Sequence, residues 1–74
     1  MNLKKFYADC GQRLQSRRLF LKMDVEMLAI LSGYDPELII LLEEGAHRWD
    51  DKIARTFAVA LECELSWLYP ETDE

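Results

Sequence analysis

Residues 24–45 constrain the fold more than any other stretch, because two short apolar segments are separated there by a turn. Asp24 can accept hydrogen bonds from the free amides of a first helical turn. Gly33 can adopt the left-handed conformation that ends a helix. Asp35-Pro36 offers a second start, because proline at the first helical position gives up no hydrogen bond. The spacing predicts two helices joined by a tight turn, over residues 24–31 and 36–44.

Two helices joined by a short glycine-containing turn form the helix-turn-helix pattern. Apolar residues at helical spacing predict three further helices, over about 3–21, 51–62 and 65–69. Gly11 lies inside the first of these, where glycine costs about 1 kcal/mol relative to alanine, so we expect a close neighbour that needs the space. No alternating pattern predicts a strand. The sequence therefore predicts an all-α fold.

Seventy-four residues, half of them hydrophobic, predict a single domain over residues 1–70 and a short acidic tail over 71–74. Cys10 and Cys63 are far apart in sequence, and we expect both to be reduced thiols of a cytoplasmic protein. His47 has no cysteine or histidine at ligand spacing, so neither a metal nor a cofactor is expected. No apolar run reaches the roughly 20 residues of a membrane span, and nothing resembles a targeting segment.

The net charge of −5 is unevenly distributed along the chain. Residues 1–22 contain six cationic side chains and one acid, a net of +5. The remaining chain contains three cations and thirteen acids, a net of −10. A protein that neutralises DNA phosphates carries the opposite balance on its contact surface. The charge pattern therefore favours a partner other than DNA for the acidic part of the chain.

Several residues at fixed spacing between Gly11 and Tyr69 resemble the Cro/repressor family of helix-turn-helix proteins, also called XRE-type or lambda-repressor-like. The matching positions are Gly11, Leu14, Arg18, Leu28-Ala29, Gly33, Ile39, Leu42-Glu43, Gly45, Phe57-Ala58, Leu61 and Leu65-Ser66-Trp67-Leu68. The resemblance implies a compact five-helix domain. It also implies a structural ion pair between Arg18 and Glu43.

The residues that would touch DNA depart from this resemblance. The family's second helix usually begins with a glutamine that reaches the DNA backbone, and Val25 stands there. The recognition helix usually offers polar side chains to bases and phosphates. The corresponding residues here are Pro36, Glu37, Leu38, Ile40 and Leu41. The sequence thus predicts the family's framework with an altered recognition helix.

A helical projection separates the two sides of this helix. It places Ile39 and Leu42 in the core and Glu37 and Glu44 at the centre of the opposite side. Two carboxylates near two rows of phosphates repel them, and contacts to bases supply specificity rather than basal affinity. DNA binding through this helix is therefore disfavoured.

The same side suits a protein partner, because an exposed leucine or isoleucine gains roughly 1.5–3 kcal/mol when fully buried. The predicted partner-binding residues are Glu37, Leu38, Ile40, Leu41, Glu44 and the loop residue Trp49. The alternative is that these apolar residues cover the protein's own core, or that Trp49 folds over them. In repressors that this chain resembles, C-terminal helices often form the dimer seam, which would place Trp67 or Tyr69 there.

These patterns favour a transcription-control protein of phage or mobile-element type. In the leading hypothesis it is an antirepressor or co-regulator that docks on a repressor. The alternative is a Cro-like dimeric DNA-binding repressor whose phosphate contacts come from Arg13, Arg17 and Arg48. A third hypothesis is a small antitoxin or structural subunit that only forms a homodimer. No catalytic constellation is present in the sequence, so we do not expect an enzyme.

Overall fold

The structure is a computed structural model, and it describes residues 2–70. Within this range the chain forms α-helices and no strand, in agreement with the predicted all-α fold. The helices are α1 (Leu3–Phe20), α2 (Val25–Ser32), α3 (Pro36–Glu43), α4 (Asp51–Ala60) and α5 (Leu65–Leu68). Over the same residues, every helix is too short or too polar to cross a membrane. The predicted acidic tail lies outside the described residues.

Short polar side chains start three of the helices. Asn2, Asp24 and Asp50 each accept a hydrogen bond from the amide three residues ahead, at 3.2, 2.8 and 2.8 Å. Asp35 precedes α3 without such a bond, and Pro36 takes the first helical position. Gly33 closes α2 with a φ of +81°, as predicted. The predicted helix boundaries differ from the observed ones by no more than two residues.

One apolar core joins all of the helices. Phe57 of α4 lies at its centre and stacks on Tyr34, with ring centroids 5.4 Å apart. The buried hydrophobic residues are Cys10, Leu14, Leu28, Ile39, Leu42, Trp49, Ile53, Ala54, Phe57, Ala58, Leu61 and Leu68. They include the five residues whose spacing predicts the inner side of the fourth helix, namely Ile53, Ala54, Phe57, Ala58 and Leu61. Both cysteines are free thiols, and burial raises the pKa of Cys10 to about 11.

Helix α1 crosses the C-terminal end of α3 at very short range. A Cβ atom built on Gly11 would collide with the carbonyl oxygen of Leu42 and lie 2.7 Å from that of Glu43. A Cβ atom on Gly45 would lie 2.8 Å from the Cα of Ala8. The prediction that Gly11 has a close neighbour is therefore confirmed. These two glycines let the backbones of α1 and α3 meet.

A buried ion pair strengthens the same crossing. Arg18 donates to Glu43 from Nε at 2.7 Å and from Nη2 at 3.1 Å, and both side chains are almost fully buried. Arg18 also donates to the Met23 carbonyl at 2.8 Å, which ties the end of α1 to the start of α2. The hydrogen bond to Glu43 raises the pKa of Arg18, against the effect of burial. The structure thus confirms the pair implied by the resemblance.

Arg17 has a structural role at the far end of α4. Its guanidinium donates to the carbonyl oxygens of Leu61 and Glu62, both at 3.0 Å, and lies 5.1 Å from the ring centroid of Phe20. These carbonyls follow the last turn of α4, where helices leave acceptors unpaired. Two of the five guanidinium N–H donors are thus used to hold the end of α4, and contact of Arg17 with phosphates stays a prediction.

Trp49 is placed differently from the prediction of an exposed residue. The Trp49 side chain is only 2 % exposed and stacks on Tyr69, with ring centroids 6.2 Å apart. Tyr69 in turn packs on Phe6 at 5.5 Å, and burial raises the pKa of Tyr69. The loop before α4 folds back over the core, so Trp49 is not an exposed anchor for a partner. Tyr69 is half-buried in this stack, so part of its side chain remains on the surface.

Candidate interaction surface on helix α3

The outward side of α3 combines aliphatic and acidic side chains. Ile39 and Leu42 are fully buried, whereas Ile40 and Leu41 remain 43 % and 41 % exposed. This arrangement agrees with the two sides predicted from the helical projection. We call Glu37, Ile40, Leu41 and Glu44 the α3 face, since all four are exposed. Leu38 was predicted to belong to it but is half-buried against the core, so it offers a partner little area.

The stretch of chain that contains the α3 face is acidic. Residues 23–47 contain six acids and neither lysine nor arginine. Glu43 is neutralised by Arg18 and accepts a hydrogen bond from Gln15 at 3.3 Å. Glu37 and Glu44 form no ion pair within residues 2–70. Their charges therefore act on whatever approaches the face.

Positive side chains begin just after this region. Arg48 is exposed in the loop that follows α3, and Lys52 is exposed in the first turn of α4. Sequence reasoning singled out Arg48 but missed Lys52, whose position at the start of α4 was the available signal. Arg55 is paired with Asp51 at 2.5 Å. Arg48 and Lys52 are consequently the cations nearest to the α3 face along the chain that have no ion pair within residues 2–70.

Trp67 lies on the surface at the other end of the chain. Its side chain is 46 % exposed on α5 and separates two shallow grooves against α1. One groove is lined by Arg17, Cys63 and Glu64, and the other by Ala8, Asp9, Gln12, Arg13 and Ser16. Arg13 therefore lies beside Trp67, in a groove against α5. Of the two residues predicted for a dimer seam, Trp67 is exposed and Tyr69 is half-buried, and the seam itself stays a prediction.

Helix α2 has an exposed side that sequence reasoning missed. Its spacing predicts that Met27, Leu28 and Leu31 share one apolar side, yet only Leu28 is fully buried. Val25, Ala29 and Ser32 complete the inner side, and this leaves Met27 and Leu31 facing outward. The sequence feature that indicated an exposed apolar side was the presence of apolar residues around nearly the whole helix. Such a pattern does not reveal which side faces the core.

Chemical sites of other kinds are not evident in residues 2–70. No three histidine, cysteine or acidic side chains in this range are grouped in a way that could hold a metal ion. Cys63 is half-buried in the groove beside Trp67, and burial raises its pKa, so the thiol is less readily ionised than usual.

The comparison with solved structures gives a specific match. The restriction-modification controller protein C.AhdI from Aeromonas hydrophila superimposes with a TM-score of 0.81. Its sequence is 30 % identical, and the match covers 85 % of this chain and 96 % of C.AhdI. This chain belongs to the helix-turn-helix family of that controller. C.AhdI has a helix-turn-helix fold of the XRE/lambda-repressor-like type, which is the family that the sequence resembles.

No protein-family profile and no curated protein matches the sequence. The family assignment consequently depends on the match to C.AhdI. That match covers 85 % of this chain and describes its fold. The α3 face is a separate question, because the residues of a fold's framework do not determine what its surface binds.

Proposed function

We propose that this protein is a transcription controller that binds DNA through its helix-turn-helix. The similarity to C.AhdI over nearly the whole of that protein carries the proposal. This similarity favours the DNA-binding alternative over the antirepressor hypothesis. The α3 framework supports it as well, since Ile39 and Leu42 fix the helix on the core with its other side exposed.

In this proposal the α3 face contacts the bases, and the cations that follow it in the chain contact the phosphates. Glu37 can accept a hydrogen bond from cytosine N4, and Leu41 can contact a thymine methyl group. Arg48 and Lys52 neutralise phosphates, which supplies the basal affinity. With only two such cations per protomer, binding is weak at physiological salt. We expect log Kobs to fall with log salt with a slope of about −2 per protomer.

Fluorescence anisotropy with the DNA upstream of the protein's own gene tests this proposal. At low salt we expect the anisotropy of the labelled DNA to rise when the protein is added. An unlabelled DNA of scrambled sequence should not reverse this rise. Arg48→Ala and Lys52→Ala each weaken binding and reduce the salt slope by about 1. Lys4→Ala is the matched control, because Lys4 is an exposed cation at the start of α1. Binding that ignores Arg48 and Lys52, or no specific binding at low salt, contradicts the proposal.

A second candidate function is docking on a repressor as an antirepressor or co-regulator. The observation that favours it is the α3 face itself, where Ile40 and Leu41 flank two carboxylates without ion-pair partners in residues 2–70. Such a surface fits a basic and apolar patch on another protein. Light scattering with a purified repressor encoded beside the gene tests it. Leu41→Asp should abolish the complex, and Leu3→Asp on α1 should not.

One variant separates the two candidates by the sign of its effect. Glu44→Gln removes a negative charge from the α3 face without altering the residues that would read bases. It should strengthen DNA binding, because one source of phosphate repulsion is lost. It should weaken binding to a basic protein, because an attraction is lost. Measuring both affinities at the same salt concentration therefore decides which ligand the α3 face binds.

A further inference from the structure

Helix α3 carries hydrogen-bond acceptors but no side chain that donates a hydrogen bond. Its residues are Pro36, Glu37, five aliphatic side chains and Glu43, and an ionised carboxylate only accepts. Glu43 is occupied by Arg18, whereas Glu37 is exposed and forms no ion pair within residues 2–70. Residues 23–47 contain neither lysine nor arginine that could compete for it. Glu37 is therefore the acceptor on α3 that is available to a ligand.

A helix that can only accept hydrogen bonds is restricted in the base edges that it can bind in the major groove. Guanine presents acceptors there and thymine presents O4, so both repel a carboxylate. Adenine presents an amino donor beside the acceptor N7. Cytosine presents its N4 amino group, and the position next to it on the ring is the apolar C5. Cytosine is therefore the base whose edge places no acceptor against Glu37.

Two aliphatic side chains lie next to Glu37 on the same side of α3. Ile40 and Leu41 follow it by three and four residues, which makes them its neighbours on the helix surface, and they are 43 % and 41 % exposed. The N-terminal residues of a recognition helix contact the base edges, and Glu37 lies in the first turn of α3 whereas Glu44 follows its last residue. The end of α3 that would meet the bases thus combines one acceptor with an apolar surface.

We propose that the α3 face reads 5-methylcytosine in DNA, with Glu37 accepting a hydrogen bond from N4 and Leu41 packing on the C5-methyl group. This base preference rests on the proposed DNA binding and names the base that the α3 face selects. 5-Methylcytosine carries an amino donor and a methyl group at neighbouring ring positions, and no unmodified base carries both. Thymine has the methyl group but places O4 against the carboxylate. Unmodified cytosine has the amino group but leaves Leu41 without an apolar partner.

Fluorescence anisotropy with modified duplexes tests the proposal. Synthetic versions of the DNA upstream of the protein's own gene carry cytosine, 5-methylcytosine or N4-methylcytosine at every cytosine, and all are measured at one low salt concentration. 5-Methylcytosine should lower the dissociation constant about fourfold for each methyl group that the protein buries, as expected for removing one such group from water. N4-methylcytosine should raise the dissociation constant, because its methyl group replaces the amino hydrogen that faces the major groove.

A fourth duplex, with uracil in place of thymine, separates two sources of a methyl group. Leu41 could contact the thymine of a neighbouring base pair while Glu37 contacts an unmodified cytosine. In that case uracil weakens binding and 5-methylcytosine brings no gain, which would overturn the proposal. A gain from 5-methylcytosine that persists in the uracil duplex supports it.

Substitutions assign the two contacts to their residues, and circular dichroism checks that each variant is folded. Leu41→Ala should remove the preference for 5-methylcytosine, whereas Leu41→Met keeps an apolar side chain of similar volume and should retain it. Glu37→Ala should remove the loss of affinity caused by N4-methylcytosine. Leu3→Ala is the matched control, because Leu3 is half exposed on α1, and it should leave both preferences unchanged.

The outcomes distinguish this proposal from the proposed DNA binding. Suppose that the cytosine duplex is bound and that binding depends on Arg48 and Lys52. Equal affinity for the cytosine and 5-methylcytosine duplexes then overturns the base preference alone. A preference that survives Leu41→Ala overturns it as well. If none of the duplexes is bound at low salt, both proposals are wrong.

Discussion

The two sides of α3 differ in what they retain from the family. The inner side keeps Ile39, Leu42 and Glu43, which pack on the core and pair with Arg18. The outer side presents Glu37, Ile40 and Leu41, where the resemblance in sequence implies polar side chains. The inner side is therefore held by contacts that few substitutions can satisfy, whereas the outer side is free to vary. A fold can be recognised from the first side while the ligand depends on the second.

The largest effect that distinguishes the two sides should come from Arg18→Ala. It leaves Glu43 as a buried carboxylate without its partner, and we expect a loss of about 3–5 kcal/mol in the free energy of unfolding. Urea denaturation followed by circular dichroism measures it. Arg13→Ala is the control, and we expect about 0.5 kcal/mol or less for this surface residue. Equal effects of the two variants would show that the Arg18–Glu43 ion pair contributes no more to stability than a surface side chain does.

The next largest effect should come from Gly11→Ala. Helix propensity alone predicts stabilisation by about 1 kcal/mol. The collision with the Leu42 carbonyl predicts the opposite, a destabilisation of about 3 kcal/mol, near the upper end for overpacking. Thermal and urea unfolding give the sign directly. Gln12→Ala, at an exposed position of the same helix, should change stability only slightly. A stabilised Gly11→Ala protein would refute the close crossing of α1 and α3.

A chemical comparison of the two cysteines sharpens the contrast between core and surface. Folding raises the pKa of Cys10 from 9.0 to about 11. Near neutral pH the thiolate fraction of Cys10 is therefore roughly a hundredfold smaller in the folded protein than in the unfolded chain. Burial also blocks access. Iodoacetamide followed by mass spectrometry should label Cys63 first and Cys10 only after unfolding. Rapid labelling of Cys10 in the folded protein would contradict the packing of α1 on the core.

The smallest effect should come from the outer side of α3. Leu41→Ala should lower the free energy of unfolding by only about 1 kcal/mol, because the side chain is partly exposed. Leu42→Ala, one residue further on, should cost about 2–5 kcal/mol. Urea denaturation of the two variants compares the sides within one turn of helix. A larger loss for Leu41 than for Leu42 would mean that the two sides were assigned wrongly.

The framework was predictable because it depends on local rules. Asp24, Gly33 and Pro36 act through their own backbone geometry, and an apolar period locates the inner side of α4. The sequence also predicted a neighbour for Gly11, but not that this neighbour was α3. Such local signals do not depend on knowing the whole fold.

The less predictable features depend on contacts between residues that are far apart in sequence. Trp49 is followed by two acids and was expected at the surface, but its loop folds back to place it against Tyr69 and Phe57. Arg17 was counted with the free cations because its acceptors lie more than forty residues further on. The outer side of α2 was missed because its residues are apolar on every side. Contacts distant in sequence decided the positions of Trp49 and Arg17.

The buried position of Trp49 gives the protein two distinct optical reporters. Both tryptophans of the chain fall within the described residues, one inside the core and the other on α5. Fluorescence from Trp49 follows the integrity of the aromatic stack with Tyr69, and iodide reaches it poorly. Fluorescence from Trp67 is open to quenching and changes when something covers α5. A single titration can therefore separate unfolding from assembly without any added dye.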